Sequence, residues 1–163
     1  MVETPVGILE VGRIAHHERM AVMVMGTNDM AKELRATITA DRQALLPHLA
    51  KCLLSARAAN KAILDGVYND IKDDAGFASV CRQGAQMGFD GKTLIHPNQV
   101  TPTNDIFSPS LDELDFHQRV IEEFETAEKE GRGVLTVDGK MIENLHVEEA
   151  RRALAVAEAI AAL

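Results

Sequence analysis

A rhythm in the first two thirds of the chain constrains its fold more than any other feature. Four times, a short apolar segment ends in polar residues and gives way to a helical pattern. The segments are Val2-Glu3-Thr4-Pro5, the run 20–29 ending Gly26-Thr-Asn-Asp29, the run 62–70 containing Asp65-Gly66, and the run 92–97 ending His96-Pro97. A strand followed by an amphipathic helix is a βα unit, and successive units build a parallel sheet with helices outside it. Ligands on such sheets sit beyond the carboxyl ends of the strands, where these polar residues fall. The expected fold class is α/β.

The intervening stretches fit that rhythm. Ile8, Val11, Ile14 and Ala15 lie at helical spacing and predict a helix over 7–17, and 19–25 reads as a buried strand. A short helix from Asp29 to Ala36 and a cap at Thr39-Ala-Asp41 are expected next. A long amphipathic helix then covers 42–60, carrying Leu45, Leu46, Leu49, Leu53 and Ala56. Residues 61–64 read as a strand, 73–87 as a helix with Phe77, Val80, Cys81 and Gly84 on one side, and 88–91 as a turn into a strand over 92–95. Pro97, Pro102 and Pro109 predict broken chain up to Ser110. Beyond it, 111–129 reads as a charged helix holding Leu114, Val120, Ile121 and Phe124 inward, stopped by Glu130-Gly-Arg-Gly133. Asp138-Gly139 suits the positive-φ positions of a tight hairpin over 134–141. A terminal helix over 148–163 is rich in Ala and Leu.

Four strands cannot close a (β/α)8 barrel, which needs eight and about 250 residues. The expectation is the second half of a TIM barrel: the last four βα units over 1–109, then helix, hairpin and helix over 110–163 as a lid or oligomerisation extension. Because Met1-Val2-Glu3 starts at a strand's end, a fragment or a truncated reading frame is the simplest account. An open half-barrel leaves a sheet edge and an apolar face uncovered, so a homo-oligomer or poor solubility is expected.

Composition narrows the function classes. At 46% hydrophobic the chain can bury a sizeable core, and with only 4% aromatics aliphatic side chains and Met must fill it. A net charge of −8 and the lack of a basic stripe argue against nucleic acid or an anionic membrane as partner. There is no run of 18 apolar residues and no signal-peptide pattern, so a cytoplasmic location is expected. Cys52 and Cys81 have no CxxC spacing or neighbouring His and read as reduced packing residues. GxSxG, HExxH and phosphate-loop patterns do not occur, which removes the usual support for hydrolase triads, zinc peptidases and P-loop chemistry.

Glu3 and Asp29 are 26 positions apart, one strand-helix-strand step. On adjacent parallel strands both carboxylates would face the same mouth, and two carboxylates with the remaining positions left to water and substrate is how Mg²⁺ is usually held. The plainer alternatives are a frayed terminal acid at Glu3 and a helix cap at Asp29. Asp65 is either a pocket acid or an ordinary turn residue. His96 either orients a ligand or is structural. Asp70 and Asp73-Asp74 read as solvated or capping, and His16, His17, His48, His117 and His146 as surface residues.

Several motifs also resemble one family. Glu3-Thr-Pro-Val-Gly7, Gly26-Thr-Asn-Asp-Met-Ala31, Ala62-Ile-Leu-Asp-Gly-Val-Tyr68, the run Gly88-Phe-Asp-Gly-Lys-Thr-Leu-Ile-His-Pro-Asn-Gln-Val100 and Val137-Asp-Gly-Lys-Met-Ile142 resemble, in order and spacing, the citrate lyase β-subunit-like CoA ester lyases. These include the malyl-CoA lyases and belong to the HpcH/HpaI aldolase superfamily. The resemblance implies a TIM barrel of which this chain supplies the last four strands and the C-terminal extension, with Mg²⁺ as cofactor and Glu3 and Asp29 as its carboxylate ligands. It implies reversible carbon–carbon cleavage of a 3-hydroxyacyl-CoA such as malyl-CoA to acetyl-CoA and a 2-oxo acid such as glyoxylate. The ligands are then a CoA thioester and a small 2-oxo acid, with Asp65 and His96 shaping the pocket. In the family an Asp after the Gly-Lys-Met-Ile segment serves as acid/base, reaching from a lid into a neighbouring subunit; Glu143 occupies that position here, one methylene longer. The family's substrate-gripping Arg belongs to the first half of the barrel, so the chain alone is expected to be inactive unless another chain completes it. Three alternatives stand beside the lyase: a malyl-CoA thioesterase, a true citrate lyase β subunit acting on a carrier-bound substrate, and a truncated non-catalytic paralogue that assembles with full-length relatives.

Overall fold

The computed structural model describes residues 1–131 and 134–163. Of the expected helix stop, Arg132 and Gly133 lie outside the described residues. The chain divides into two compact units, Met1–Phe107 and Ser108–Leu163.

Three strands of the first unit, β1 (Val22–Val24), β2 (Ala62–Asp65) and β3 (Gly91–Lys92), form a parallel sheet in that order. Val2 adds a fourth parallel rung through a bridge to Met25. The four expected strand positions are therefore present in sequence order, but the strands are shorter than expected. The run 19–25 pairs with β2 only from Val22, with Ala62 opposite. The run expected at 92–95 ends at Lys92: the Ile95 N–H, which would make the next rung, is donated to Gln99 Oε1 at 3.1 Å. The carbonyl of Asp65 takes both the N–H and the hydroxyl of Thr93 (each 3.0 Å), and the carbonyl of Gly66 takes the Lys92 ammonium.

Helices come after each rung. The stretch 7–17 is two short helices, α1 (Pro5–Leu9) and α2 (Val11–Ala15), separated at Glu10, whose ψ of 5° is off the helical value. Thr4 caps α1 by accepting the Gly7 N–H at 3.1 Å. Next comes α3 (Thr27–Leu34). The expected helix over 42–60 is reduced to α4 (Leu46–Ala58), because Arg42 has φ 54° and leads a loop rather than a helix. Asp73 caps α5 (Asp74–Met87), which buries Phe77, Val80, Cys81 and Gly84 as expected. The segment after His96 is ordered helix rather than the expected broken chain: a 3₁₀ turn (Pro97–Gln99) leads into α6 (Val100–Phe107). Pro102 lies in its first turn, where no intrahelical N–H is needed.

Val11, Ala15, Met23, Met25, Leu49, Cys52, Ala56 and Ile63 form the heart of this unit's core. It is aliphatic and methionine-rich, and each fully buried large side chain contributes about 1.5–3 kcal/mol relative to exposure. Both cysteines are free and buried, and burial lifts the Cys52 thiol to about 11.

The second unit comprises α7 (Leu111–Glu130), an antiparallel hairpin of β4 (Leu135–Val137) and β5 (Lys140–Ile142), and α8 (Asn144–Ala161). Ser110 and Glu113 form a reciprocal capping box at the start of α7. Asp138 and Gly139 take φ 50° and 76°, as the hairpin expectation required. The terminal helix starts at Asn144, four residues before its expected start at 148. Val120, Ala127, Leu135, Val137, Ile142, Val147 and Ala150 make a separate core, with Ile121 and Phe124 packed on it. Among the described residues no helix is long and apolar enough to cross a membrane.

Candidate functional site

Two glycines bring the carboxyl ends of the strands into close contact. Val2 donates its N–H to Val24 O (2.8 Å) and accepts from Gly26 N (2.9 Å), which lays Glu3 directly across Gly26. A Cβ on Gly26 would meet Glu3 Cβ and lie 2.7 Å from its carboxylate oxygen Oε2. One rung along, a Cβ on Gly66 would meet Thr27 Oγ1 and lie 2.9 Å from the carbonyl of Met25. Both distances are too short for a real side chain, so the glycines set how tightly these ends pack. Gly66→Ala is therefore expected to destabilise the first unit by ~1–3 kcal/mol through overpacking. Chemical denaturation reads the loss, and Thr27→Ala should recover only part of it, since the Met25 carbonyl remains.

Gly26 also precedes α3, whose first turn presents Asp29, an arrangement a helix N-terminus favours for a carboxylate. Glu3 is half-buried and Asp29 exposed. Among the described residues neither has a hydrogen-bond or ion-pair partner. Glu3 thus lies over the entry to the helix that carries Asp29. No group of three or more His, Cys, Asp or Glu side chains suited to a metal ion forms among the described residues. Two free carboxylates fit a hard cation that keeps water or substrate oxygens in its sphere; they do not fit a closed zinc site. Beside Asp29, Asn28 and Asn69 exchange reciprocal amide hydrogen bonds of 3.0 and 2.7 Å, linking the ends of β1 and β2.

Asp65 is fully buried and has no face open to a ligand. Arg42 Nη1 donates to both of its oxygens (2.9 and 2.7 Å), Lys92 Nζ to Oδ2 (3.0 Å) and Gly66 N to Oδ1 (2.8 Å). Arg42 Nε donates to Gln83 Oε1 at 2.7 Å, and Gln83 in turn donates to the carbonyl of Asp41. Desolvation holds the Lys92 ammonium below its usual range, against the pull of Asp65. Whatever Asp65 does for a pocket it does through Arg42 and Lys92, neither of which the sequence singled out. An Asp inside an apolar strand demands a cationic partner. That signal shows a partner exists without saying which cation it is.

His96 caps the 3₁₀ turn: its Nδ1 accepts the Asn98 N–H (3.2 Å), which leaves the proton of the neutral ring on Nε2. Tyr68 donates to Asp73 Oδ2 at 2.6 Å, which raises the phenol to about 12 and lowers the carboxyl. In the second unit, exposed Glu143 precedes α8, with its backbone N–H donated to His146 Nδ1 (2.9 Å). It borders a cavity of about 430 Å³ walled by Phe124, Ala127, Leu135 and Ile142, with Glu128 also on the lining.

A sequence model described as HpcH/HpaI aldolase/citrate lyase matches residues 1–97. The chain belongs to that family. Among curated relatives, a (3S)-malyl-CoA thioesterase of Cereibacter sphaeroides is 54% identical over 162 residues, 99% of this chain and 57% of the relative. The citrate lyase subunit beta of Escherichia coli K12 is 35% identical over 158 residues, 96% of this chain and 52% of the relative. The chain thus spans a little over half the length of these curated relatives. Mycobacterium tuberculosis CitE, solved with magnesium, acetoacetate and coenzyme A, superposes with a TM-score of 0.78 at 28% identity, covering 95% of this chain and 58% of that one. A citrate lyase of Burkholderia xenovorans, at 17% identity, shares the fold with a TM-score of 0.83 over 98% of this chain and 52% of that one. The α/β architecture of citrate lyase β proteins is therefore the architecture of this chain.

Proposed function

We propose that this chain carries the Mg²⁺-binding half of a CoA-ester active site acting on malyl-CoA or a similar 3-hydroxyacyl-CoA. In this reading unit Met1–Phe107 is the last four βα units of a TIM barrel. The observation that carries it is the placement of Glu3 across Gly26, over the entry to the helix that presents Asp29, both carboxylates lacking a protein partner among the described residues. The magnesium, acetoacetate and coenzyme A bound by M. tuberculosis CitE support the same ligand classes here.

When bound, Mg²⁺ would supply Lewis-acid polarisation of a substrate carbonyl. The chain's own residues do the rest of what this half contributes. Glu3 and Asp29 hold two negative charges at positions fixed by backbone pairing and by a helix turn. Gly26 leaves room beside them. The buried cluster around Asp65 fixes the third strand end without meeting the metal-bound substrate, and His96 presents an Nε2–H near the fourth. Glu143 is the proposed acid/base, offered to a neighbouring subunit; its extra methylene relative to Asp sets its reach, and a misplacement of about 1 Å can cost ~10²-fold in rate.

The identity to a malyl-CoA thioesterase favours hydrolysis as the net reaction, giving free CoA and malate. The citrate lyase β relatives support the second reading, carbon–carbon cleavage to acetyl-CoA and glyoxylate. Product analysis after incubating malyl-CoA and Mg²⁺ with the chain completed by the first four βα units of a full-length relative separates them. CoA plus malate identifies the hydrolase, acetyl-CoA plus glyoxylate the lyase. Turnover by neither route sinks the catalytic reading of this chain and leaves assembly with full-length relatives.

A further inference from the structure

The cluster at Asp65 carries more positive charge than it neutralises. Arg42, with a side chain 5% exposed, and Lys92, with one that is 0% exposed, share the single carboxylate of Asp65. An uncompensated charge away from water is costly, and a guanidinium has five N–H donors to satisfy. In Arg42 the Nε and Nη1 edges are occupied, whereas Nη2 is buried and has no hydrogen-bond partner among the described residues. Arg42 also forms part of the wall of a cleft of about 250 Å³ beyond the carboxyl ends of β1 and β2. Thr27, Asn28, Thr39 and Asn69 bring hydroxyls and amides to that cleft, and Ile38, Leu45, Val67 and Val80 line an apolar side. Among the described residues the only carboxylate lining it is that of exposed Asp70.

We propose that this cleft is an oxyanion subsite, in which a carboxylate or a phosphate group seated beside Arg42 supplies the acceptor that Nη2 lacks and offsets the excess positive charge of the cluster. Arg is the side chain whose planar fork suits either group, and a site with little water strengthens the pairing. The polar lining can accept or donate to the remaining oxygens of the ligand, and the apolar side accommodates a short carbon portion of the acid. The subsite is independent of the metal reading, since neither Glu3 nor Asp29 lines it.

The test is isothermal titration of the intact chain with inorganic phosphate and, separately, malonate, in buffer freed of metal by a chelating resin, at matched ionic strength. Saturable one-to-one binding of phosphate alone points to a phosphate ester as the natural group; binding of malonate alone points to a carboxylic acid; binding of both leaves the oxyanion assignment standing for either source. Arg42→Lys keeps a cation for Asp65 but removes Nη2, and is expected to weaken binding by about 10-fold or more, as on loss of a charge-assisted hydrogen bond. Val67→Phe fills the cleft while leaving the cluster intact, and is expected to abolish binding with little change in the unfolding midpoint. That second variant decides the matter if Arg42→Lys does not fold. No saturable binding of either anion to the wild-type chain overturns the proposal, as does wild-type affinity in Val67→Phe or in a folded Arg42→Lys. Because the buffer is free of metal throughout, failure here says nothing about Glu3 and Asp29, and their failure to bind Mg²⁺ would leave this result untouched.

Discussion

Asp65→Asn is expected to be the most destabilising single substitution in the first unit, at about 3–5 kcal/mol. The substitution keeps the volume and one acceptor oxygen, so packing is nearly unchanged and the charge is what is lost. Arg42 and Lys92 are then left side by side, both deeply buried, with no counter-charge between them. A domain's whole stability is typically ~5–15 kcal/mol, so the loss is enough to lower the denaturation midpoint severely or leave the unit partly unfolded. The pH dependence identifies the cause. Burial already lowers the Lys92 pKa in the folded chain below its ordinary 10.5. Between those two values the unfolded chain holds more protons than the folded one, and stability rises with pH. Without Asp65 the folded-state value drops further and the window opens at lower pH. Asp65→Asn should therefore regain stability between neutral and mildly alkaline pH more steeply than the wild type, read from denaturation midpoints across that range. A parallel pH response in the two proteins would show that the cluster is not the source of the loss. Replacing Arg42, Asp65 and Lys92 together by Met, Leu and Met should cost less than Asp65→Asn alone, because breaking a buried ionic cluster is worse than removing it whole.

Legibility in the sequence depends on which forces are local. The four βα steps are readable because apolar runs and helical spacing are written into consecutive residues, and the buried face of α5 agrees residue for residue. Asp138-Gly139 is readable because positive φ is a local demand. Strand lengths are not, since β3 ends where the Gln99 side chain takes the Ile95 N–H, a competition between side chain and ladder that no periodicity records. Arg42 misleads because it opens a run with helical hydrophobic spacing, yet its backbone takes the left-handed region and its guanidinium pairs with a buried carboxylate 23 residues further on. The prolines of residues 97–107 suggest broken chain, although a proline within the first turn of a helix costs nothing. At the site, Glu3 and Asp29 can be named from strand-end position and family motifs. The glycine contacts that pack the strand ends, at Gly26 and Gly66, depend on neighbours from another rung and leave no local trace.

Loss of Mg²⁺ binding in Glu3→Gln and in Asp29→Asn is the second large effect expected. Each substitution keeps shape and removes one of the two anionic donors that this chain offers. Removing an outer partner that merely orients a metal ligand typically costs ~10–100-fold in affinity, so removing a ligand itself should cost at least ~10²-fold. With only two protein carboxylates, the proposed site is expected to hold its ion weakly and leave several positions to water, so water-proton relaxation with Mn²⁺ as a probe, displaced by Mg²⁺, is the sensitive readout. The double variant should lose little beyond either single one, because one remaining carboxylate no longer makes a site. Asp70→Asn, an exposed strand-end carboxylate near β2, controls for general charge and should leave the relaxation signal unchanged. Gly26→Ala supplies an independent check. It adds no charge and removes none, yet its Cβ would press on the Glu3 side chain, so it should weaken metal binding while Asp29 is untouched. If both single variants retain the wild-type affinity, Glu3 and Asp29 are a terminal acid and a helix-turn acid, and the ion sits elsewhere or on a different chain. If only Asp29→Asn loses the ion, Glu3 is a neighbour of the site rather than part of it, and the close approach over Gly26 is then a packing contact alone.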